Sequence, residues 1–359
     1  MSLFQLVARC LACLLLLSTS ARAQVFLDQG EVLAPDPGVL WASESIGAPA
    51  VTYDSIRDRF LMVFESRTPF TDASCPQGIW TLGLATSPDG TTWTIIPTPL
   101  LQPSPGSGTF YSCVAAHPAA VFSPTGNGRM QVVFKAEQDT VGCGAGPCPY
   151  TGIGRLRVLF DAQGDVSTVN VQATPILPLT TAGGFPSIAS DGSSYYMIYQ
   201  SYPNVYFSQS GSFLSFPAGT LAFDVAAFGG APGTADTAAA GPQWVYDEFF
   251  SPSLICDDSV PFPWAVWVGS RDTNFGAVIN GAWGKGIRTA AVADWLLATT
   301  PTKTWANDDD WRHWDMLRLI TGDYLMWYSK KDALGNNSIY FGGTTLTFNN
   351  SDVQSRACP

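Results

Sequence analysis

Gly47-Ala48-Pro49-Ala50-Val51, Ala116-His117-Pro118-Ala119-Ala120-Val121, Gly184-Phe185-Pro186-Ser187-Ile188, Phe250-Ser251-Pro252-Ser253-Leu254 and Trp314-Asp315-Met316-Leu317 read as five versions of one short corner that opens into an apolar run. With Pro49, Pro118, Pro186, Pro252 and Met316 taken as equivalent, the steps are 69, 68, 66 and 64 residues. Self-similarity at so steady a period marks units that stack or are arranged radially. Each corner leads through a turn to an aromatic-rich run. Ala48 to Tyr53 is answered across Asp54-Ser55-Ile56-Arg57-Asp58 by Arg59-Phe60-Leu61-Met62-Val63-Phe64. Pro186 to Ala189 turns at Ser190-Asp191-Gly192-Ser193 into Tyr195-Tyr196-Met197-Ile198-Tyr199, and Thr321-Gly322-Asp323 leads into Tyr324-Leu325-Met326-Trp327-Tyr328. Short apolar runs bounded by Gly, Pro, Asp and Ser are strand signals, and Asp-Gly is a favourable hairpin turn.

A third strand is predicted at 79–85, 154–160 and 338–341, and a fourth at 92–95. Four short antiparallel strands in a unit of about 67 residues make a propeller blade, and radial repetition leaves only short, protected edges. Five copies therefore predict an all-β fold, a five-bladed β-propeller, as a single domain over 24–359. A β-sandwich shares the strand and turn composition but does not account for the period. A helical repeat is excluded because the apolar spacing is close to two. Residues 222–241, rich in Ala, Gly and Thr, read as a loop insertion, and 290–298 as a short helix or an irregular outer strand.

Residues 1–23 carry Arg9, the apolar run Leu11-Ala12-Cys13-Leu14-Leu15-Leu16-Leu17 and the small-residue site Ala21-Arg22-Ala23, the pattern of a secretory signal peptide. The expected product is secreted, periplasmic or extracellular, monomeric and without a membrane anchor. Six of the eight cysteines lie beyond residue 23, an even count that favours disulfides in an exported chain. Cys143 and Cys148 share a Gly/Pro-rich loop in which a local bridge fits. The net charge of −11, with no basic stripe, excludes a nucleic-acid partner. Asn336-Asn337-Ser338 and Asn349-Asn350-Ser351 match glycosylation sequons.

Ala85-Thr86-Ser87-Pro88-Asp89-Gly90-Thr91-Thr92-Trp93 resembles the turn between outer strands in five-bladed glycoside hydrolases, family 43 and its relatives in families 32 and 68, and is similar to a shortened sialidase Asp-box. The physics of this turn is local. Asp89 and Ser87 can accept from turn amides, Gly90 can take positive φ, and Trp93 can pack between blades. The resemblance covers the chain as a pattern of blades and implies a carbohydrate-directed protein. In family 43 an Asp stands just before the Pro-like position of the first blade, a second Asp does so in the next, and a Glu acid opens the third. Here Ala48, His117 and Phe185 occupy those corners, so the family triad is not at its usual places.

Charged residues, scarce elsewhere, gather at the ends of the second strands and just before the first strands, on one face of such a fold, where loops carry sites. They include Glu44, Glu65, Arg67, Lys135, Glu137, Arg271 and the run Trp311-Arg312-His313-Trp314-Asp315. Both histidines of the chain, His117 and His313, fall in this set. Glycoside hydrolysis needs a protonated and an ionised carboxyl. Glu248 has aromatic neighbours, Phe249 and Phe250, that would desolvate it and suit it to the acid role. Asp315 is the candidate ionised partner, with Glu65, Glu137 and Glu44 in reserve. Arg67 and Arg271 are candidates for hydroxyls or a substrate carboxylate, and Trp41, Trp311 and Trp314 for stacking on sugar rings. No cofactor motif is present. The sequence has no metal-ligand spacing, although a structural calcium near Asp315 or His313 is compatible with it. The expected function is hydrolysis of an extracellular poly- or oligosaccharide. A carbohydrate-binding propeller without catalysis is the alternative, and a sialidase-like hydrolase ranks third because two arginines fall short of a three-arginine clamp.

Overall fold

The computed structural model describes residues 26–76, 78–139, 151–179, 183–226, 248–257, 264–271, 281–288, 295–297, 303–305, 312–331 and 336–354; residues 151, 248, 271, 281–284, 288, 296–297, 303–305 and 312 are described by their backbone alone. The fold is almost entirely β, and among the described residues its only helices are two short 3-10 turns, Leu40–Ala42 and Asn350–Asp352. The strands fall into consecutive antiparallel groups. The first is Ser45–Asp54, Arg59–Arg67, Trp80–Ser87 and Thr94–Ile95, and the second Val114–Ser123, Arg129–Glu137, Thr151–Phe160 and Val166–Val171. The third is Gly183–Ser190, Tyr195–Ser201, Asn204–Ser210 and Thr220–Phe223, and the fourth Glu248–Cys256, Trp264–Arg271, Gly281–Arg288 and Trp295–Leu297. Arg312–Arg318, Tyr324–Lys331 and Asn337–Gly343 form the last, completed by Leu27–Leu33 from the other end of the chain. One parallel pair, Trp80 with Val114, joins the first two groups into a single sheet.

The turns form where side chains replace missing backbone partners. At Ser87-Pro88-Asp89-Gly90, Asp89 Oδ1 accepts from the N–H groups of Thr91 (2.8 Å) and Thr92 (2.7 Å), and Ser87 Oγ accepts from Gly90 N–H (2.8 Å). Gly90 takes φ +77°, and its carbonyl accepts from the indoles of both Trp93 (3.0 Å) and Trp327 (2.8 Å). One turn thus ties the first group to the last. Burial pushes the Asp89 carboxyl up, but the Thr92 and Thr91 amides and the Thr91 and Ser87 hydroxyls outweigh it and hold the pKa at about 2. Asp191 repeats the device with the Ser193 and Ser194 amides and the Tyr196 hydroxyl, again to about 2 against the effect of burial.

The apolar side chains do not pool into one central core. Val51, Phe60, Met62 and Phe64 pack on Leu317, Leu325, Trp327 and Phe341, joining the first group to the last. Separate clusters fill the seams between first and second groups, second and third, third and fourth, and fourth and fifth. The leading strands neighbour one another in the same cyclic order, Ser45–Asp54 beside both Val114–Ser123 and Arg312–Arg318.

Polar bonds stitch these leading strands. Ser187 Oγ accepts from Leu254 N–H (2.8 Å), Ser253 Oγ from Met316 N–H (3.2 Å) and Asp315 Oδ2 from Val51 N–H (2.7 Å). Ser187, Ser253 and Asp315 each lie two residues past a corner, and Leu254, Met316 and Val51 three residues past the next one. Ala50 and Ala119 hold the equivalent places at the other two seams.

The corner itself is a bulge. Between Gly47 and Ala50, Ala116 and Ala119, Gly184 and Ser187, Phe250 and Ser253, and Arg312 and Trp314, the leading strand carries one residue more than its partner. At each bulge a non-glycine residue sits in the left-handed region: Ala48 (φ 43°), His117 (46°), Phe185 (42°), Ser251 (44°) and His313 (48°). The fifth corner is therefore His313, and Trp314, not Met316, is the counterpart of the four prolines.

The inner hairpins, the third strands and the outer strand at Thr94–Ile95 lie where the sequence pattern predicts them. Within 290–298, Trp295–Leu297 is a strand. Of the stretch read as an insertion, 222–226 is described and includes the end of strand Thr220–Phe223. Cys75 and Cys113 form a disulfide, and Cys256 is also disulfide-bonded; Cys143 and Cys148 lie outside the described residues. No helix among the described residues is long and apolar enough to cross a membrane.

Candidate functional site

A bulge with positive φ turns its side chain out of the ladder, and all five do so toward one place. The five corner residues, with the residue that follows each, line a single cavity of about 250 Å³ that opens to solvent. That volume includes open solvent, so the mouth is a shallow depression with room for a small group or an ion.

Three aromatic rings from different groups meet there. The His117 ring centroid lies 4.1 Å from Phe185 and 4.3 Å from His313, and Phe185 stacks on His313 at 5.1 Å with 15° between planes. Both histidines of the chain are thus in one contact, 196 positions apart (313 − 117). Ser251 Oγ lies 2.9 Å from His313 Nδ1. Glu65, buried at the end of its strand, accepts from the His117 main-chain N–H through Oε2 (2.8 Å), and the same oxygen is 3.2 Å from His117 Nδ1. One nitrogen or oxygen from each of Glu65, His117 and His313 lies within 4.8 Å of the other two.

Residues facing the corners brace them. Ser329 Oγ accepts from Ala48 N–H (2.7 Å), and Gln200 Nε2 donates to the Phe249 carbonyl (2.6 Å). Lys135 pairs with Glu137 (2.7 Å) and lies over the Phe185 ring at 6.0 Å, which brings a cation to the rim.

The other sequence candidates divide. Asp315 is buried and both carboxylate oxygens are engaged, Oδ2 by Val51 N–H and Oδ1 by the Ser253 hydroxyl (3.1 Å), a bonding pattern that joins strands rather than facing the mouth. Trp41 is buried, stacked on Phe64 at 5.7 Å, with its indole donating to the Pro97 carbonyl (2.7 Å), so its face is not offered to a ligand. Trp314 lines the mouth but is 4 % exposed and packs edge-on against Phe250. Glu44 and Arg67 are exposed and do not line the cavity. Glu248 and Arg271 face each other across their strand pair, at the corner end of the fourth group; their side chains, and the whole of Trp311, lie outside the described residues. Sequence reasoning passed over Ala48, Phe185 and Ser251 as site residues. The available signal was position, since each occupies the slot before a repeated proline.

No family model matches the chain, and no curated protein matches it. Solved structures do. A protein of the GH130 family of mannoside phosphorylases, from a study of glycoside hydrolases that target β-1,2 mannosidic linkages in Candida mannan, matches at TM-score 0.59 and 11% identity over 93% of this chain and 97% of that one. The β-1,2-mannobiose phosphorylase from Listeria innocua matches at 0.59 and 11%, over 89% and 95%. The sucrose-6-phosphate hydrolase from Lactobacillus gasseri matches at 0.54 and 10%, over 93% of this chain and 63% of that one. The chain has the fold of glycoside hydrolase-like propeller proteins.

Proposed function

We propose that this chain is a secreted, monomeric five-bladed propeller that recognises an extracellular carbohydrate at the mouth formed by its five corners. The observation that carries the reading is the convergence of Ala48, His117, Phe185, Ser251 and His313 on one small open cavity, in a fold shared with carbohydrate-acting proteins. Phe185 and the two imidazoles supply an apolar, ring-sized wall. Ser251 supplies a polar group in the lining, and the Lys135 ammonium lies over the Phe185 ring. An apolar lining with a few directed polar groups is the ordinary make-up of a small-molecule site. The cyclic order of the leading strands and the seam from the last group to the first support five blades, and the Cys75–Cys113 disulfide suits an oxidising compartment.

Recognition is favoured over two-carboxylate hydrolysis because no corner carries a carboxylate, and the acidic groups next to them, Glu65 and Asp315, accept from backbone N–H groups. The hydrolytic reading rests on Glu248, whose backbone lies three residues before the Ser251 corner and opposite Arg271. Sialidase-like action ranks behind both. The deciding experiment incubates the mature protein with a broad panel of plant, algal and bacterial polysaccharides and measures both retention and release of reducing sugar, beside Glu248→Gln. Retention of one glycan without release is the expected result. Release that disappears in Glu248→Gln establishes a hydrolase and its acid. Neither retention nor release of any glycan overturns the proposal.

A further inference from the structure

We infer that Glu65, His117 and His313 form a binding site for a divalent transition metal of the zinc class at the mouth lined by the five corners. The donor atoms come from three strands in different groups, and the bulges at His117 and His313 present both imidazoles to one point. A position within about 2.8 Å of three atoms so spaced exists, against ~2.0–2.2 Å for zinc bonds to imidazole nitrogen and carboxylate oxygen, so an inward shift of roughly 0.7 Å per ligand closes the site. Rotation about the histidine χ angles supplies a movement of that size.

Two imidazoles and one carboxylate suit zinc, cobalt or iron far better than calcium, which takes six to eight oxygens. The surroundings have the features of a metal shell. Ser251 Oγ at His313 Nδ1 orients that ring, as second partners do for metal-ligating histidines. Glu65 is fixed by the His117 main-chain N–H. The Phe185 ring packs against both imidazoles, and the mouth they line is open to solvent. Among the described residues the ligands number three, one fewer than a closed structural zinc site uses. The inference does not depend on carbohydrate recognition, and its test needs no glycan, so the two fail separately.

The mature protein, dialysed against chelator, is titrated calorimetrically with zinc sulfate and, in parallel, with cobalt(II) chloride under visible absorption. One zinc per chain is expected, with a cobalt band typical of nitrogen and oxygen ligands and a zinc-dependent rise in Tm. His117→Asn with His313→Asn should weaken zinc binding at least about 100-fold, since loss even of outer partners costs 10–100-fold, while the metal-free Tm stays within a few degrees of wild type. If the double variant does not fold, the single variants decide, each expected to bind zinc at least tenfold more weakly. Absence of stoichiometric zinc and cobalt binding in the wild type overturns the site. So does undiminished binding in the histidine variants, which would assign the metal to the cysteines or the acidic surface.

Discussion

Replacing Asp315 separates a residue that holds strands together from one that does chemistry. Its carboxylate accepts from Val51 N–H at 2.7 Å across the seam between the last and first groups and from the Ser253 hydroxyl at 3.1 Å within the seam before it, with 5 % of the residue exposed. A hydrogen bond to a charged group contributes about 1.5–3 kcal/mol, and a buried donor left without its acceptor costs about 1–3 kcal/mol. Asp315→Ala strands the Val51 amide and loosens Ser253, which also accepts from Met316 N–H, so a loss of about 3–4 kcal/mol is expected. Unfolding entropy near 2.1 cal/mol/K per residue converts this, for a chain of this length, into a fall in Tm of about 5 °C. Asp315→Asn keeps an oxygen for Val51 and an amide for Ser253 Oγ, and should lose only about 1 kcal/mol. Calorimetric scans of the two variants beside wild type, with glycan retention measured on the same samples, test the reasoning. A Tm for Asp315→Ala within 1 °C of wild type would refute it. Loss of function in Asp315→Asn at unchanged Tm would return the residue to the catalytic role that its position in the sequence first invites.

Asp89 and Asp191 have carboxyl groups held at about 2, so they favour folding above the unfolded value near 3.8, and that contribution disappears as pH falls through 2. Both are largely solvated, which leaves about 1 kcal/mol each; urea melts at about pH 6 and about pH 1.5 should show Asp89→Asn destabilised at the first and nearly equal to wild type at the second, which lies below both the folded and the unfolded value. The Cys75–Cys113 bridge spans 38 residues, for which loop-closure entropy gives about 4 kcal/mol. Cys75→Ala with Cys113→Ala should lower the urea midpoint accordingly, and an unchanged midpoint would show that the loop stays closed without the bond. At Gly83 an added Cβ would lie 2.1 Å from Trp41 Cη2. Gly83→Ala should cost about 1–3 kcal/mol by overpacking and change the Trp41 fluorescence; a neutral result would mean that Trp41 is free to swing out, as a sugar platform requires.

The parts of this fold legible in the sequence are those settled by neighbours. The Asp191-Gly192 hairpin and the Ser87-Pro88-Asp89-Gly90 turn depend on bonds spanning at most five positions, and both form as the residue types dictate. The strand Leu27–Leu33 escaped because Leu-Asp-Gln-Gly-Glu-Val-Leu has no clean alternation and is mostly exposed; its structure comes from pairing with Asn337–Gly343, some 300 residues away. The fifth corner was displaced because Trp314 stands where the other four copies have proline. Of the candidate site, the gathering of both histidines on one face was legible, but their shared slot was not, because the sequence pattern set Met316 rather than Trp314 against the prolines. The assignments of Asp315 and Trp41 turn on burial. A charged or aromatic residue near a strand start reads the same whether it faces solvent or a seam, and only the packing of Gly83 beneath Trp41, or of Val51 N–H against Asp315, distinguishes the two.

The five corners carry an argument about function that the individual side chains do not. Left-handed backbone at a non-glycine residue costs roughly 1–2 kcal/mol, and glycine removes most of that. Five such residues with φ between 42° and 48° face one cavity, and none of them is glycine. Strands that needed the bulges only to bend would be more stable with glycine at each. His117, Phe185, Ser251 and His313 instead place a side chain at the mouth at the expense of stability, the pattern in which strain is retained at a functional site. Ala48 adds the smallest side chain of the five. The scaffold thus fixes where five side chains point, through bulge, brace and seam bond, while leaving their chemistry open. A single substitution in one of these slots should therefore change what the mouth binds while leaving the strands that hold it intact.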